Sequence, residues 1–157
     1  MTDTAAGLVR IVYLYPGDLT VSREPCTVNT IVGSCVAVFL WDERQKQGGM
    51  NHYLLPREPR PDAPSPKFGD SAMRMLVERL AAQGSEAKDL VAKVFGGAHV
   101  FGTAPRDANH LGKQNVDLAF EELQRLRIPV VASDVGGSRG RRLMANTSDG
   151  GAWVKEL

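Results

Sequence analysis

Surplus charge, cysteine and long apolar runs are all scarce in this sequence, and each shortage removes a class of function. Nineteen Lys and Arg against eighteen Asp and Glu leave a net charge of +1, so no overall field draws the chain to nucleic acid or anionic lipid. The longest apolar stretches, such as Cys35 to Trp41, fall far short of the ~20 residues a spanning helix needs. The first residues carry Asp3 where a signal peptide would carry Lys or Arg, and no cleavable apolar segment follows, so a cytoplasmic location is expected. Two cysteines, Cys26 and Cys35, make one disulfide arithmetically possible, but a reducing compartment and a chain of this length argue against a structural bridge. With only His52, His99 and His110 beside them, a sulfur-rich zinc site cannot be assembled.

What remains is an ordinary globular composition, 43% hydrophobic and 24% charged over 157 residues. A chain of that size buries about two-thirds of the surface it exposes when unfolded, enough for one core, and a single domain over 1–157 is expected. Five prolines between Pro56 and Pro66 force extended, donor-poor backbone, which reads as a surface loop within that domain.

Before this loop the signals are for strands. Leu8 to Tyr15 is β-branched and aromatic and closes on Pro16-Gly17. Cys26 to Val32 is a second extended stretch. Ser34 to Trp41 is apolar almost without alternation, as in a strand covered on both faces, and Gly48 to Leu55 follows as its hairpin partner. After the loop the period changes. Met73, Leu76, Val77 and Leu80 lie on one helix face that Asp70 or Ser71 can cap, and Val116, Ala119, Phe120, Leu123 and Leu126 make a second. Leu90 to Phe95 and Pro129 to Ser133 read as strands, and Arg142 to Ala145 with Ala152 to Leu157 as a terminal hairpin. The expected fold is α+β: a β-sheet sandwich core of mixed strands with about two helices packed outside.

Cys35 follows a Gly33-Ser34 turn at the mouth of a buried strand, a placement that holds a sulfur rigidly and leaves room for a substrate. A nucleophilic cysteine needs a base within hydrogen-bond reach. If Trp41 and Gly48 flank the hairpin loop, Leu54 lies opposite Cys35 and His52 one diagonal step away on the same face; a two-residue shift sets His52 directly opposite. Asn51 and Tyr53 point to the other face. An acceptor on the second ring nitrogen would fix the tautomer, with Thr30 and Asn29 as candidates, and a backbone N–H near Cys35 could hold an oxyanion. These parts describe acyl transfer through a thioester.

Plainer readings compete. A cysteine opening an apolar strand is commonly a small buried hydrophobe, and Cys26 is read as packing. His99, in Gly96-Gly-Ala-His-Val-Phe-Gly102, can reach a site at the strand ends but sits in what reads as a tight turn. His110 falls in a polar loop and is expected to face solvent. The Gly- and Arg-rich Asp134 to Arg142 lacks the Gly-Lys-Ser/Thr of a phosphate loop and reads as a structural turn or a docking surface.

Gly33-Ser-Cys-Val-Ala-Val, His52 in Gly-Gly-Met-Asn-His-Tyr-Leu-Leu-Pro, Lys93-Val-Phe-Gly-Gly-Ala, and Pro129 to Arg142 occur in an order that resembles the chemoreceptor glutamine deamidases, the CheD family of bacterial chemotaxis. The resemblance spans about Leu8 to Leu157. It implies hydrolysis of glutamine side-chain amides on the cytoplasmic helices of chemoreceptors, giving glutamate and ammonia, with no metal or organic cofactor. It carries the nucleophile onto Cys35, the general base onto His52 and the third triad member onto Thr30, or onto Asn29 if the register falls one position earlier. Some members of that family are regulated by a chemotaxis phosphatase that binds at the active site, which makes such a protein a candidate partner. The alternative is a non-catalytic adaptor of the same fold that docks on receptors or signalling proteins.

Overall fold

The computed structural model describes residues 9–100 and 109–157. Nine strands and two helices lie among them: β1 (Arg10–Tyr13), β2 (Leu19–Ser22), β3 (Cys26–Val32), β4 (Val36–Asp42), β5 (Gln47–Tyr53), α1 (Gly69–Ala82), β6 (Leu90–Gly96), α2 (Leu111–Leu126), β7 (Val130–Val135), β8 (Arg141–Asn146) and β9 (Ala152–Glu156). Leu8, where the first strand was expected to start, and Phe101 and Gly102, which end the His99 segment, lie outside the described residues.

The strands form a four-stranded sheet in the order β1-β3-β8-β9 and a five-stranded sheet in the order β2-β5-β4-β6-β7. One apolar cluster fills the space between the sheets, with Val28, Phe39, Met50, Phe95 and Leu143 at its centre. A second lies between the five-stranded sheet and the helices, where Val38 and Leu40 meet Met73, Leu76, Leu80 and Leu118. The outcome is the expected α+β sandwich, with both helices on one side. β4 contributes to both clusters, Val36, Val38 and Leu40 to one and Ala37 and Phe39 to the other, which is why its sequence shows no polar alternation. Among the described residues no helix is long and apolar enough to cross a membrane.

Two local features differ from expectation. β2 was not anticipated: four residues directly after the Pro16-Gly17 turn carry too short a pattern to read, yet they pair antiparallel with β5 from Leu19 to Ser22. Helix α1 begins at Gly69 behind Phe68, without a side-chain cap from Asp70 or Ser71. Its first amides are already satisfied, since Gly69 N–H donates to the Leu55 carbonyl (2.7 Å) and Asp70 N–H to that of Pro56 (3.0 Å). The Asp70 carboxylate accepts instead from the Glu58 and Ser71 amides, tying down the proline loop.

Helix α2 starts at Leu111, ahead of its apolar face, and is capped by His110, whose Nδ1 accepts from Lys113 N–H at 3.2 Å. His110 is half-buried rather than a solvent-facing loop residue, because a cap must turn back over the first helical turn. That turn presses closely on the end of β6. A Cβ at Gly112 would sit 2.4 Å from the Gly97 carbonyl oxygen and 2.5 Å from that of Ala98, closer than backbone tolerates.

Gly112→Ala is therefore expected to push α2 off the end of β6 and to cost about 1–3 kcal/mol of stability, read as a lowered urea midpoint with an unchanged slope. A midpoint equal to wild type would show that the helix start yields freely.

Candidate active site

The β4/β5 hairpin pairs Val36 with Tyr53 and Ala37 with His52, which is the first of the two registers considered and sets Cys35 diagonal to His52. Both side chains occupy the side of the five-stranded sheet that faces the other sheet, while Asn51 and Tyr53 turn toward the helices. Asn51 Nδ2 meets the Met73 sulfur and Tyr53 joins the helix-side cluster. Cys35 itself stands one residue ahead of β4. Its turn is held from the end of β6, by Gly97 N–H donating to the Cys35 carbonyl (2.8 Å) and Ala98 N–H to the Gly33 carbonyl (2.9 Å). Gly96, at a φ of +111°, makes that approach possible, since a Cβ there would lie 2.2 Å from the Cys35 carbonyl oxygen.

His52 is 1% exposed. Its Nδ1 lies 2.8 Å from Thr30 Oγ1, which also donates to the Leu14 carbonyl at 2.6 Å. A hydroxyl has one proton, and with that proton on Leu14 the oxygen can only accept from His52 Nδ1–H. This assigns the tautomer: Nε2 is unprotonated, buried and without a hydrogen-bond partner. The backbone of His52 is pinned by the turn before β2, with its N–H donating to the Asp18 carbonyl (3.1 Å) and its carbonyl accepting from Gly17 N–H (2.7 Å).

Cys35 and His52 open on one cleft of about 500 Å³, whose apolar walls include Pro16, Ile31, Val100 and Leu111. Burial lowers the His52 pKa to about 4, partly opposed by the negative charge of Asp18. Burial also pushes the Cys35 thiol up, partly opposed by its own backbone N–H. The resting pair is thus a neutral thiol beside a neutral imidazole, not a stored thiolate. No hydrogen bond joins Nε2 to the Cys35 sulfur in this structure.

Asn29 and Thr30 are adjacent on β3 and so point to opposite faces. Thr30 reaches His52; Asn29 lies on the outer face, where it lines a different groove. His99 lines the cleft, its Nε2 buried without a partner and its ring 4.6 Å from that of His110. Cys26 is fully buried between the sheets, its N–H bonded to Thr147 Oγ1 at 3.0 Å, and both cysteines are free. The Asp134 to Arg142 segment is a structural turn. The Arg141 guanidinium is buried against Asp134 (3.1 Å) and the Gly136 carbonyl (2.9 Å), and Gly137 accepts from His99 N–H at 2.9 Å, bracing one wall of the cleft.

Asn115 escaped the sequence reading. Fully buried on α2, it donates from Nδ2 to the carbonyls of Ser34 (3.0 Å) and Leu54 (2.9 Å), the residue before Cys35 and the second after His52. Its own carbonyl accepts from Tyr53 Oη at 2.5 Å. One amide thus clamps together the two strand ends that carry the pair. The readable signal was a polar side chain one turn ahead of Leu118 and Ala119 on the apolar face.

Known proteins resemble this chain over most of its length. Residues 54–156 match the family model described as CheD chemotactic sensory transduction, a span lying wholly beyond Cys35 and His52. A probable chemoreceptor glutamine deamidase CheD 1 of Anaeromyxobacter dehalogenans is 49% identical over 146 residues, 93% of this chain and 84% of the relative. A probable chemoreceptor glutamine deamidase CheD of Trichlorobacter lovleyi is 43% identical over 96% of this chain and 92% of its own length. One from Methanococcus vannielii is 37% identical over 89% and 91%.

Two measurements follow from the geometry. The His52 pKa, near 4 when folded against 6.5 when free, means that the unfolded chain binds the proton first. Its stabilising contribution is complete above pH 6.5 and falls by about 3 kcal/mol toward pH 4. Urea midpoints across that window should decline in the wild type and decline less in His52→Gln; equal slopes would place the titration elsewhere. Asn115→Leu leaves two half-buried carbonyls without this donor and is expected to cost about 1–3 kcal/mol, with Cys35 becoming more accessible to alkylation as the strand ends part.

Proposed function

The chain belongs to the CheD family, and from that premise we propose that it hydrolyses the side-chain amides of selected glutamines on the cytoplasmic helices of chemoreceptors, as one domain over 1–157. The relatives are named probable chemoreceptor glutamine deamidases, and the observation that carries the reading to this chain is the hydrogen-bonded run from the Leu14 carbonyl through Thr30 to His52. It leaves Nε2 as a free base in the cleft that Cys35 enters.

In the reaction, His52 Nε2 takes the Sγ proton as the sulfur attacks the amide carbon of the glutamine side chain, forming a C–S bond. The oxyanion is met by the Cys35 backbone N–H. The imidazolium, its Nδ1–H still donated to Thr30, passes the proton to the leaving nitrogen; the C–N bond breaks and ammonia departs. Water then gives its proton to Nε2 and its oxygen to the thioester carbon, releasing glutamate as the thiol recovers the proton. All groups in this scheme are side chains and backbone of the chain itself. A regulatory chemotaxis phosphatase, the partner suggested by the sequence resemblance, would compete for the same cleft.

Mass spectrometry of a receptor cytoplasmic fragment from the same organism tests this reading. The wild type should convert specific glutamines to glutamate and Cys35→Ala none, while Thr30→Val loses roughly 10²-fold in kcat/KM and Thr30→Ser keeps most of it. The acid limb of the wild-type profile should fall near pH 4, where His52 gains its proton. Conversion by Cys35→Ala at the wild-type rate would sink the mechanism. Binding of the fragment without conversion by any variant would move the adaptor reading ahead.

A further inference from the structure

The four-stranded sheet has two faces, and among the described residues only one is covered. Alternation along its strands sends Val28, Val32, Leu143 and Ala145 into the core and the residues between them outward. Both helices pack on the far side of the other sheet. Ile11, Tyr13, Tyr15, Ile31, Met144 and Trp153 are left between 41% and 68% exposed. They are neighbours: the register sets Tyr13 beside Asn29, Asn29 beside Met144 and Met144 beside Trp153, one continuous row across all four strands. Single exposed apolar residues are ordinary on a surface, but a contiguous aromatic patch of this kind marks a contact with another molecule.

Charge identifies the type of partner. Arg142 and Lys155 face outward as a cross-strand pair. Of the described strand positions that share this face, namely those alternating with the core residues of the sheet, none carries a carboxylate. A second copy docking face to face would bring together two cationic surfaces with no carboxylate on either to neutralise them, so self-association is disfavoured. An acidic partner is favoured.

Continuity narrows the choice further. Tyr13, Tyr15 and Met144 border a groove of about 440 Å³ on this face, and Pro16 and Ile31 line both that groove and the cleft that holds Cys35. A molecule lying across the sheet therefore reaches the cleft over a shared rim. Four strands spaced about 4.8 Å apart give a platform roughly 14 Å wide, which accommodates one helix of about 10 Å diameter. At the groove floor the Asn29 side-chain oxygen is buried without a partner, an acceptor available to a polar side chain from above.

We propose that this sheet face is a docking surface for the acidic helical flank of the same protein whose glutamine enters the cleft, so that recognition extends well beyond the scissile residue. The inference rests on the deamidase reading. The sheet face supplies affinity and selects folded helical substrates, and the cleft supplies the chemistry.

Two probes separate these roles: a folded cytoplasmic helical fragment of a chemoreceptor, and a short peptide with the same glutamine sequence, too short to cross the sheet. In Ile11→Ser/Trp153→Ser, both sites remote from the cleft, KM for the fragment should rise about tenfold, with kcat and peptide turnover within about twofold of wild type. Arg142→Glu/Lys155→Glu should weaken fragment binding and abolish its salt dependence. An unchanged KM for the fragment in both double variants overturns the proposal, as does an equal loss on both probes. Sedimentation that shows a wild-type dimer dissolved by the serine variant also overturns it, because the face would then serve a second copy. Calorimetric binding of the fragment in a Cys35→Ala background reads docking without turnover. Weaker binding by the face variants there supports the surface even if the wild type converts nothing, and equal binding removes it even if deamidation is established.

Discussion

The hydroxyl of Thr30 has one proton, and because the Leu14 carbonyl takes it, the oxygen is left to accept from His52 Nδ1. The remainder of the site depends on that assignment. It gives the imidazole a fixed orientation, leaves Nε2 unprotonated, and supplies an acceptor that would persist if the ring became positive. Leu14 lies just past β1, Thr30 on β3 and His52 on β5. A hydrogen-bonded run of three groups thus crosses from one sheet to the other.

Burial gives this site its character. An exposed cysteine–histidine pair can rest as thiolate and imidazolium, but here desolvation disfavours both charges, raising the thiol and lowering the imidazole. In the proposed reaction, charge is created only as the bond to carbon forms, where the backbone N–H of Cys35 would meet it. A pair that rests neutral is also a weak target for adventitious electrophiles.

Much of this could be read beforehand, and the limits have physical causes. Cys26–Val32 emerged with its expected bounds because its two neighbours are turns with strong Gly and Pro signals. The common face of Cys35 and His52 followed from parity, which holds in either register considered. β2 was missed because four residues of Leu-Thr-Val-Ser give no period to measure. The cap on α1 was misplaced because backbone carbonyls of Leu55 and Pro56, distant in local pattern, did the work assigned to Asp70. Asn115 was missed because its role is to satisfy carbonyls of two other segments, and no rule local to α2 contains them. Choosing between Thr30 and Asn29 as the neighbour of His52 required knowing which face of β3 turns toward β5 in the other sheet, a tertiary fact.

The Thr30 to His52 hydrogen bond joins residues of different sheets, and its length depends on how those sheets are stacked. A strand can slide or a sheet can tilt by a fraction of an ångström while every ladder bond within each sheet survives. The bond between sheets has no such tolerance. Substitutions in the core packed between the layers, at Val28, Phe39 or Met50, thus act on the imidazole from a distance by changing how the two layers seat. The proton affinity of His52 becomes a gauge of sheet alignment, and the proposed chemistry would disappear at a degree of loosening that leaves the backbone architecture intact.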